Sequence, residues 1–146
     1  MSELRQVAIK LVREKAFYST ENLSHPEAVI KLFEKKLSEY DREQLIVLNL
    51  TAKNEVINIH IASMGSLDAS IATPREIFKA AILSNAKSII LLHNHPSGNP
   101  TPSAEDISTT RKIQKAGELI EIKLLDHIIV GGYSGKTFSM QMENMI

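Results

Sequence analysis

The chain has 146 residues, of which 43% are hydrophobic, 17 are lysine or arginine and 17 are aspartate or glutamate. This length and composition are typical of one globular domain and exclude a disordered chain. The balanced charge excludes a broad basic surface for nucleic acid or an anionic membrane, so we expect DNA binding to be weak or absent.

Cysteine is absent, so any bound metal ion must be held by nitrogen and oxygen ligands. No stretch approaches eighteen consecutive apolar residues, and residues 1–5 do not resemble a signal peptide. These features predict a cytoplasmic protein without a membrane segment. They leave the oligomeric state open.

The first half of the chain predicts three strands and a helix. Residues 6–12 alternate apolar and polar side chains, which predicts a first strand. Ser24 is placed as the N-cap of a helix over about residues 26–39. Branched apolar residues at 44–50 and alternating residues at 56–62 predict a hairpin.

A loop is expected at residues 64–68, followed by a second helix. Thr73 is in the N-cap position of that helix, with proline as its first helical residue. Residues 88–92 are apolar at nearly every position, which predicts a central strand covered on both faces.

The last part of the chain contains one helix and two strands. The helix is predicted from Pro102 to about residue 116, with Gly117 as its stop signal. Strands are predicted at residues 123–131 and, more briefly, at 137–140.

Strands that alternate with helices predict an α/β protein. We expect an α-β-α sandwich with a central mixed sheet, built from about three helices and six strands. Residues 1–146 are predicted to form a single domain with its core at about 24–146.

Two histidines follow the predicted central strand. His93 and His95 are two positions apart, so on a continuing strand both side chains point to one side. Asp106 is the third residue of the next helix if Ser103 caps it, and the helix dipole favours a charged carboxylate there. Two imidazoles and a carboxylate with one open position are typical of catalytic zinc.

The same residues have a structural interpretation. Ser103 and Asp106 have the spacing of a capping box, which needs no metal. Histidines at strand ends often satisfy loop carbonyl groups. The combination of all four residues around a proline-rich turn favours the metal site.

The residues around the two histidines form a longer pattern: His93-Asn94-His95-Pro96, then six residues, Ser103, two residues and Asp106. This pattern resembles the JAMM motif of JAB/MPN-domain metalloproteases. Three segments, residues 73–80, 93–98 and 125–131, are similar to the RadC family in particular. The resemblance covers about residues 24–146. The chain resembles a short form without the N-terminal helix-hairpin-helix region of many RadC proteins.

This resemblance implies a role for each residue of the motif. His93, His95 and Asp106 would bind Zn²⁺, and Ser103 would donate a hydrogen bond to the oxyanion. A glutamate at the start of an earlier strand would be the general base, and Glu43 has that position. Glu39 and Glu55 are nearby alternatives, and Glu43 could also be a solvated surface residue.

The implied function is that of a zinc-dependent hydrolase that cleaves a peptide or isopeptide bond in a protein or peptide substrate. The alternative is a RadC-type accessory or binding module linked to DNA repair, without protease activity. A zinc deaminase is a third possibility, but deaminases usually have a Pro-Cys-x-x-Cys element, which this chain lacks.

Polar residues near the motif have open roles. Asp126 and His127 are predicted to be a buried polar pair hydrogen-bonded to neighbours, with Asp126 orienting a ligand imidazole as the alternative. Asn94 and Ser97 are predicted to be turn residues or substrate contacts.

Overall fold

The computed structural model describes residues 1–64 and 72–146. The helices are α1 (Pro26–Ser38), α2 (Pro74–Leu83) and α3 (Ala104–Ile120); the strands are β1 (Gln44–Leu50), β2 (Val56–Met64), β3 (Ser88–Asn94), β4 (Lys123–Gly131) and β5 (Lys136–Ser139). The predicted loop at residues 64–68 lies outside the described residues, except for Met64, which ends β2.

The described strands form one mixed sheet in the order β2-β1-β3-β4-β5. β1 pairs antiparallel with β2 and β3, β3 pairs parallel with β4, and β4 pairs antiparallel with β5. All seven residues of β3 are buried, which confirms the predicted central strand.

Helices cover both faces of the sheet. On one face, Val29, Phe33 and Leu37 of α1 pack in a cluster with Ile46 and Leu92 of the sheet. On the other face, α2 and α3 pack against alternate residues of the same strands, and their shared cluster includes Leu45, Ile77, Phe78, Leu91 and Ile113. The predicted α-β-α sandwich is therefore confirmed.

Within the two described ranges, no helix is both long and apolar enough to cross a membrane.

Two of the three predicted N-caps are confirmed. The Thr73 side chain accepts a hydrogen bond from the backbone of Glu76, and Ser103 and Asp106 form a reciprocal capping box. The prediction for Ser24 is wrong, because the N-cap of α1 is His25, without a side-chain cap. The Ser24 hydroxyl group instead donates to Asn22 Oδ1 at 2.8 Å.

The predicted strand at residues 6–12 is wrong. These residues form no helix or strand, and Val7 is 82% exposed. Alternation makes a segment suitable for a strand, but a strand also needs a partner with free backbone groups. The described part of the sheet consequently has five strands where we predicted six.

The predicted helix stop at Gly117 is also wrong, since α3 continues to Ile120. The chain reverses at Glu121, which has a φ of 61°. A Cβ atom on Gly117 would collide with the carbonyl oxygen of Ile122. This glycine therefore allows close packing inside the helix instead of ending it.

Candidate metal centre

The last residues of β3 bring two imidazoles together. His93 pairs with Leu45 of β1 and with Ile129 of β4, so its backbone is held from both sides. Its side chain is 0% exposed, whereas His95 lies just beyond the strand and is partly exposed. The ring centroids of His93 and His95 are 4.7 Å apart, in an edge-to-face arrangement.

The first turn of α3 places a carboxylate beside both rings. Asp106 Oδ2 lies 3.0 Å from His95 Nε2, and Asp106 Oδ1 lies 3.8 Å from His93 Nδ1. The capping box holds this carboxylate, because the Ser103 N–H donates to Oδ2 at 2.8 Å and the Asp106 N–H donates to Ser103 Oγ at 3.0 Å. Burial alone would raise the pKa of Asp106, but the hydrogen bonds from His95 and Ser103 outweigh it and lower that pKa. Asp106 is therefore an ionised acceptor.

The two nitrogens of His95 both face oxygen acceptors. Nε2 contacts Asp106, and Nδ1 lies 2.8 Å from the carbonyl oxygen of Asn99. A carboxylate and a carbonyl group can only accept, so both nitrogens carry a proton in this arrangement. The hydrogen bond to Asp106 raises the pKa of His95 accordingly. Because Asn99 fixes the proton on Nδ1, Nε2 is the nitrogen that can exchange its proton for a cation.

His93 differs from His95 in the hydrogen bonding of its ring nitrogens. Both of its ring nitrogens are buried, and neither has a hydrogen-bond partner among residues 1–64 and 72–146. Burial, followed by repulsion from the neighbouring His127 when that ring is protonated, lowers the pKa of His93 to about 3. A neutral imidazole with unsatisfied nitrogens is costly in a protein core unless it binds something. The donor set therefore fits a metal ion that takes histidine nitrogen and carboxylate oxygen.

Glu43 is the glutamate that the fold brings to this place. Ligand atoms of Glu43, His93 and His95 all lie within 4.8 Å of one another, and such a group can hold a metal ion. Glu39 caps the C-terminus of α1, and Glu55 belongs to the β1–β2 turn at the far end of β1. The roles of Glu43 as base and of Asp106 as ligand remain predictions, while their proximity to the histidines is a property of the fold.

The burial of His127 was predicted from the sequence, but its hydrogen-bond partner, Thr110, was missed. Thr110 Oγ1 donates to the backbone oxygen of Asp106 at 2.7 Å and contacts His127 Nδ1 at 2.7 Å. Because the hydroxyl group has one proton, His127 Nδ1 must be the donor in the second bond. The ring of His127 lies 5.5 Å from that of His93. The spacing of Thr110, one helical turn after Asp106, indicates its place beside Asp106 but not its contact with His127.

Asp126 does not orient a ligand imidazole. Its Oδ2 accepts from the Ser139 hydroxyl group at 2.6 Å, and its Oδ1 accepts from the Gln141 N–H at 3.0 Å. The predicted hydrogen bonds of Asp126 to neighbours are therefore confirmed, but its predicted burial is wrong, because the residue is only half-buried. These bonds attach the C-terminal residues to β4. Asp126 and His127 point to different partners because neighbouring strand residues face opposite sides.

An open groove of about 360 Å³ leads to the site. Its described lining is mostly polar and consists of Glu43, His95, Pro96, Ser97, Asn99, Thr101, Ser103, Glu105 and Asp106. These lining residues include three carboxylates and neither lysine nor arginine. The groove therefore suits a neutral or cationic substrate better than a phosphate group.

The buried neutral histidines predict acid sensitivity of the metal-free protein. Burial lowers the pKa of His127 to about 4, so below pH 6.5 the unfolded chain binds a proton that the folded chain excludes. Stability should therefore fall as the pH decreases from 6.5 to 4, by about 3 kcal/mol for this residue. Urea denaturation at several pH values measures the effect.

His127→Asn is the matched variant for this experiment. An asparagine amide can keep a donor for Thr110 but does not titrate. The difference between wild type and His127→Asn should thus shrink as the pH is lowered through this range. Parallel pH profiles for the two proteins would contradict the assignment of a buried neutral His127.

Comparison with known proteins identifies relatives over most of the chain. The family described as RadC-like JAB domain matches residues 23–145. The chain is 47% identical over 114 residues to a UPF0758 protein of Caldanaerobacter subterraneus, covering 78% of this chain and 49% of the relative. It is 43% identical over 124 residues to a UPF0758 protein of Methanosarcina mazei, covering 85% and 53%. The chain thus spans about half the length of the curated relatives that it matches.

Proposed function

The chain belongs to the RadC-like JAB domain family, and from this premise we propose that it is a zinc-dependent hydrolase of peptide or isopeptide bonds. The observation that carries the proposal is the fully buried imidazole of His93, which has no hydrogen-bond partner in the described part of the chain. Its Nδ1 lies 3.8 Å from Oδ1 of the ionised Asp106, and its ring lies beside that of His95. A buried polar group without a partner needs an explanation, and binding of a metal ion by nitrogen and oxygen donors would supply one.

His93, His95 and Asp106 would hold the ion. Two neutral imidazoles and a carboxylate are a donor set that suits Zn²⁺ and leaves one position for water or substrate. When the ion binds, His95 Nε2 would lose its proton to solvent, and the hydrogen bond between Nε2 and Asp106 would be broken. A bound Zn²⁺ supplies Lewis-acid polarisation of an amide carbonyl and of an attacking water.

Glu43 would carry the proton. It lies at the groove, within reach of both histidines, so its carboxylate can accept a proton from the attacking water. The same carboxylic acid can then donate that proton to the departing amine. Each of these steps needs Glu43 at the mouth of the site and not in the core, where proton exchange with substrate would be blocked.

Ser103 would stabilise negative charge on the substrate oxygen. Its Oγ accepts from the Asp106 N–H, so its own hydroxyl proton remains available for donation. The residue is exposed at the groove, where the oxygen of a tetrahedral intermediate can approach it. Ser103 would thus combine a capping role with a catalytic one.

Metal analysis followed by a hydrolysis assay tests the proposal. The untagged protein should retain one zinc ion per chain and should cleave members of a peptide or isopeptide library. A chelator should abolish cleavage, and added Zn²⁺ should restore it. A folded protein that never retains metal would overturn the proposal. Salt-sensitive DNA binding without cleavage would favour the accessory module instead.

A further inference from the structure

Asn94 lies between the two histidines and has a contact that neither sequence interpretation anticipated. It is 0% exposed, so it is not positioned to contact substrate. Its Oδ1 accepts from the Gln44 N–H at 2.6 Å, and its Nδ2 donates to the Arg42 carbonyl oxygen at 2.9 Å. These are the two peptide groups on either side of Glu43.

The position of this contact follows from the strand register. Backbone pairing between β1 and β3 ends at Leu45 and His93. Beyond that pair, the side-chain amide of Asn94 takes the place of the backbone hydrogen bonds between the strands. It can do so because it has one acceptor and one donor group, as a peptide group does. One side chain thereby holds both peptide bonds of Glu43.

We propose that Asn94 is a positioning residue that sets the distance between Glu43 and the ion held by His93 and His95. The backbone of Asn94 belongs to the same strand end as both histidines, and its side chain holds the chain at Glu43. The general base and the ligands are therefore parts of one rigid unit. This inference rests on the proposed role of Glu43.

The distance from Glu43 to the ion is the direct test. Protein with ¹³C-labelled glutamate is loaded with Co²⁺, and paramagnetic relaxation is measured at the Glu43 carboxyl carbon. We expect strong enhancement in the wild type and loss of most of it in Asn94→Ala, since the effect falls with the sixth power of distance. Enhancement at the His95 ring should be unchanged.

Two further variants make the test specific. Asn94→Ser retains one hydroxyl group, which can serve only one of the two peptide groups, so its loss should be smaller. Asn49→Ala is the matched control, because Asn49 is also 0% exposed and lies on β1, where its Nδ2 donates to Asn58 at 2.7 Å. It should keep the wild-type enhancement at Glu43.

Amide exchange in the metal-free protein provides a second measurement. The Gln44 amide should exchange about 10–100-fold faster in Asn94→Ala, as expected when a buried hydrogen bond is lost. Wild-type relaxation at Glu43 in both Asn94 variants would overturn the inference, whether or not the protein hydrolyses peptides. Conversely, displacement of Glu43 in a protein without hydrolase activity would support the inference and count against the proposed function.

Discussion

Replacing Glu43 with glutamine is expected to lower the rate of hydrolysis by about 10²–10⁴-fold, the usual contribution of a general base. Glutamine has nearly the same shape but cannot accept and transfer the proton. Metal content should stay at the wild-type level, because His93, His95 and Asp106 remain. Initial rates and zinc content, measured on the same preparation, separate the two effects.

Glu39→Gln is the matched control for this experiment. Glu39 has the same side chain and lies four residues earlier, but it caps the C-terminus of α1 instead of lining the groove. Its replacement should leave the rate within about twofold of the wild type, as for most surface substitutions. A large loss in Glu39→Gln with an active Glu43→Gln protein would show that the base has been assigned to the wrong glutamate.

Replacing His95 with alanine is expected to abolish stoichiometric zinc binding. The substitution removes Nε2, the nitrogen left for a cation because Nδ1 donates to Asn99, and leaves two of the three proposed ligands, His93 and Asp106. Removing a residue that only hydrogen-bonds to a metal ligand weakens metal binding by roughly 10–100-fold. Removing the ligand His95 itself should raise the dissociation constant for zinc by more than that. Elemental analysis and a competition titration with a chromophoric chelator measure it.

His60→Ala serves as the histidine control, since His60 lies on β2 and pairs with Val47, away from the groove. It should bind zinc like the wild type. A His95→Ala protein that still retains one tightly bound zinc ion per chain would place the metal elsewhere. His95 is preferable to His93 for this test, because removing a fully buried ring also creates a cavity in the core.

Local sequence rules predicted most of the elements. The strands at residues 44–50 and 123–131 have the predicted bounds, and Thr73 and Ser103 cap their helices as expected. These features depend on residues close together in the sequence, such as a hydroxyl group and a backbone N–H three positions later. The errors arose where long-range packing decides, as at residues 6–12 and at Gly117.

The site shows the same division. The His-x-His spacing and the capping box can both be recognised from the sequence. Together they put three potential ligands on neighbouring elements. Three other features depend on burial and on partners from α3 and β4. They are the protonation of His95, the neutral state of His93 and the contact of Thr110 with His127. No sequence spacing between residues 110 and 127 indicates that contact.

The chain's amino-acid order alone was enough to recognise the family, the layered α/β fold and the candidate ligands, because periodicity, caps and short motifs are local properties. Only the antiparallel pairing of β1 with β3 distinguishes Glu43 from Glu39 and Glu55 on structural grounds. The same pairing led to the role proposed for Asn94. That pairing brings together residues that are 50 positions apart, as in the bond from Gln44 to Asn94. Such contacts depend on strand register, which is set by the packing of the whole sheet.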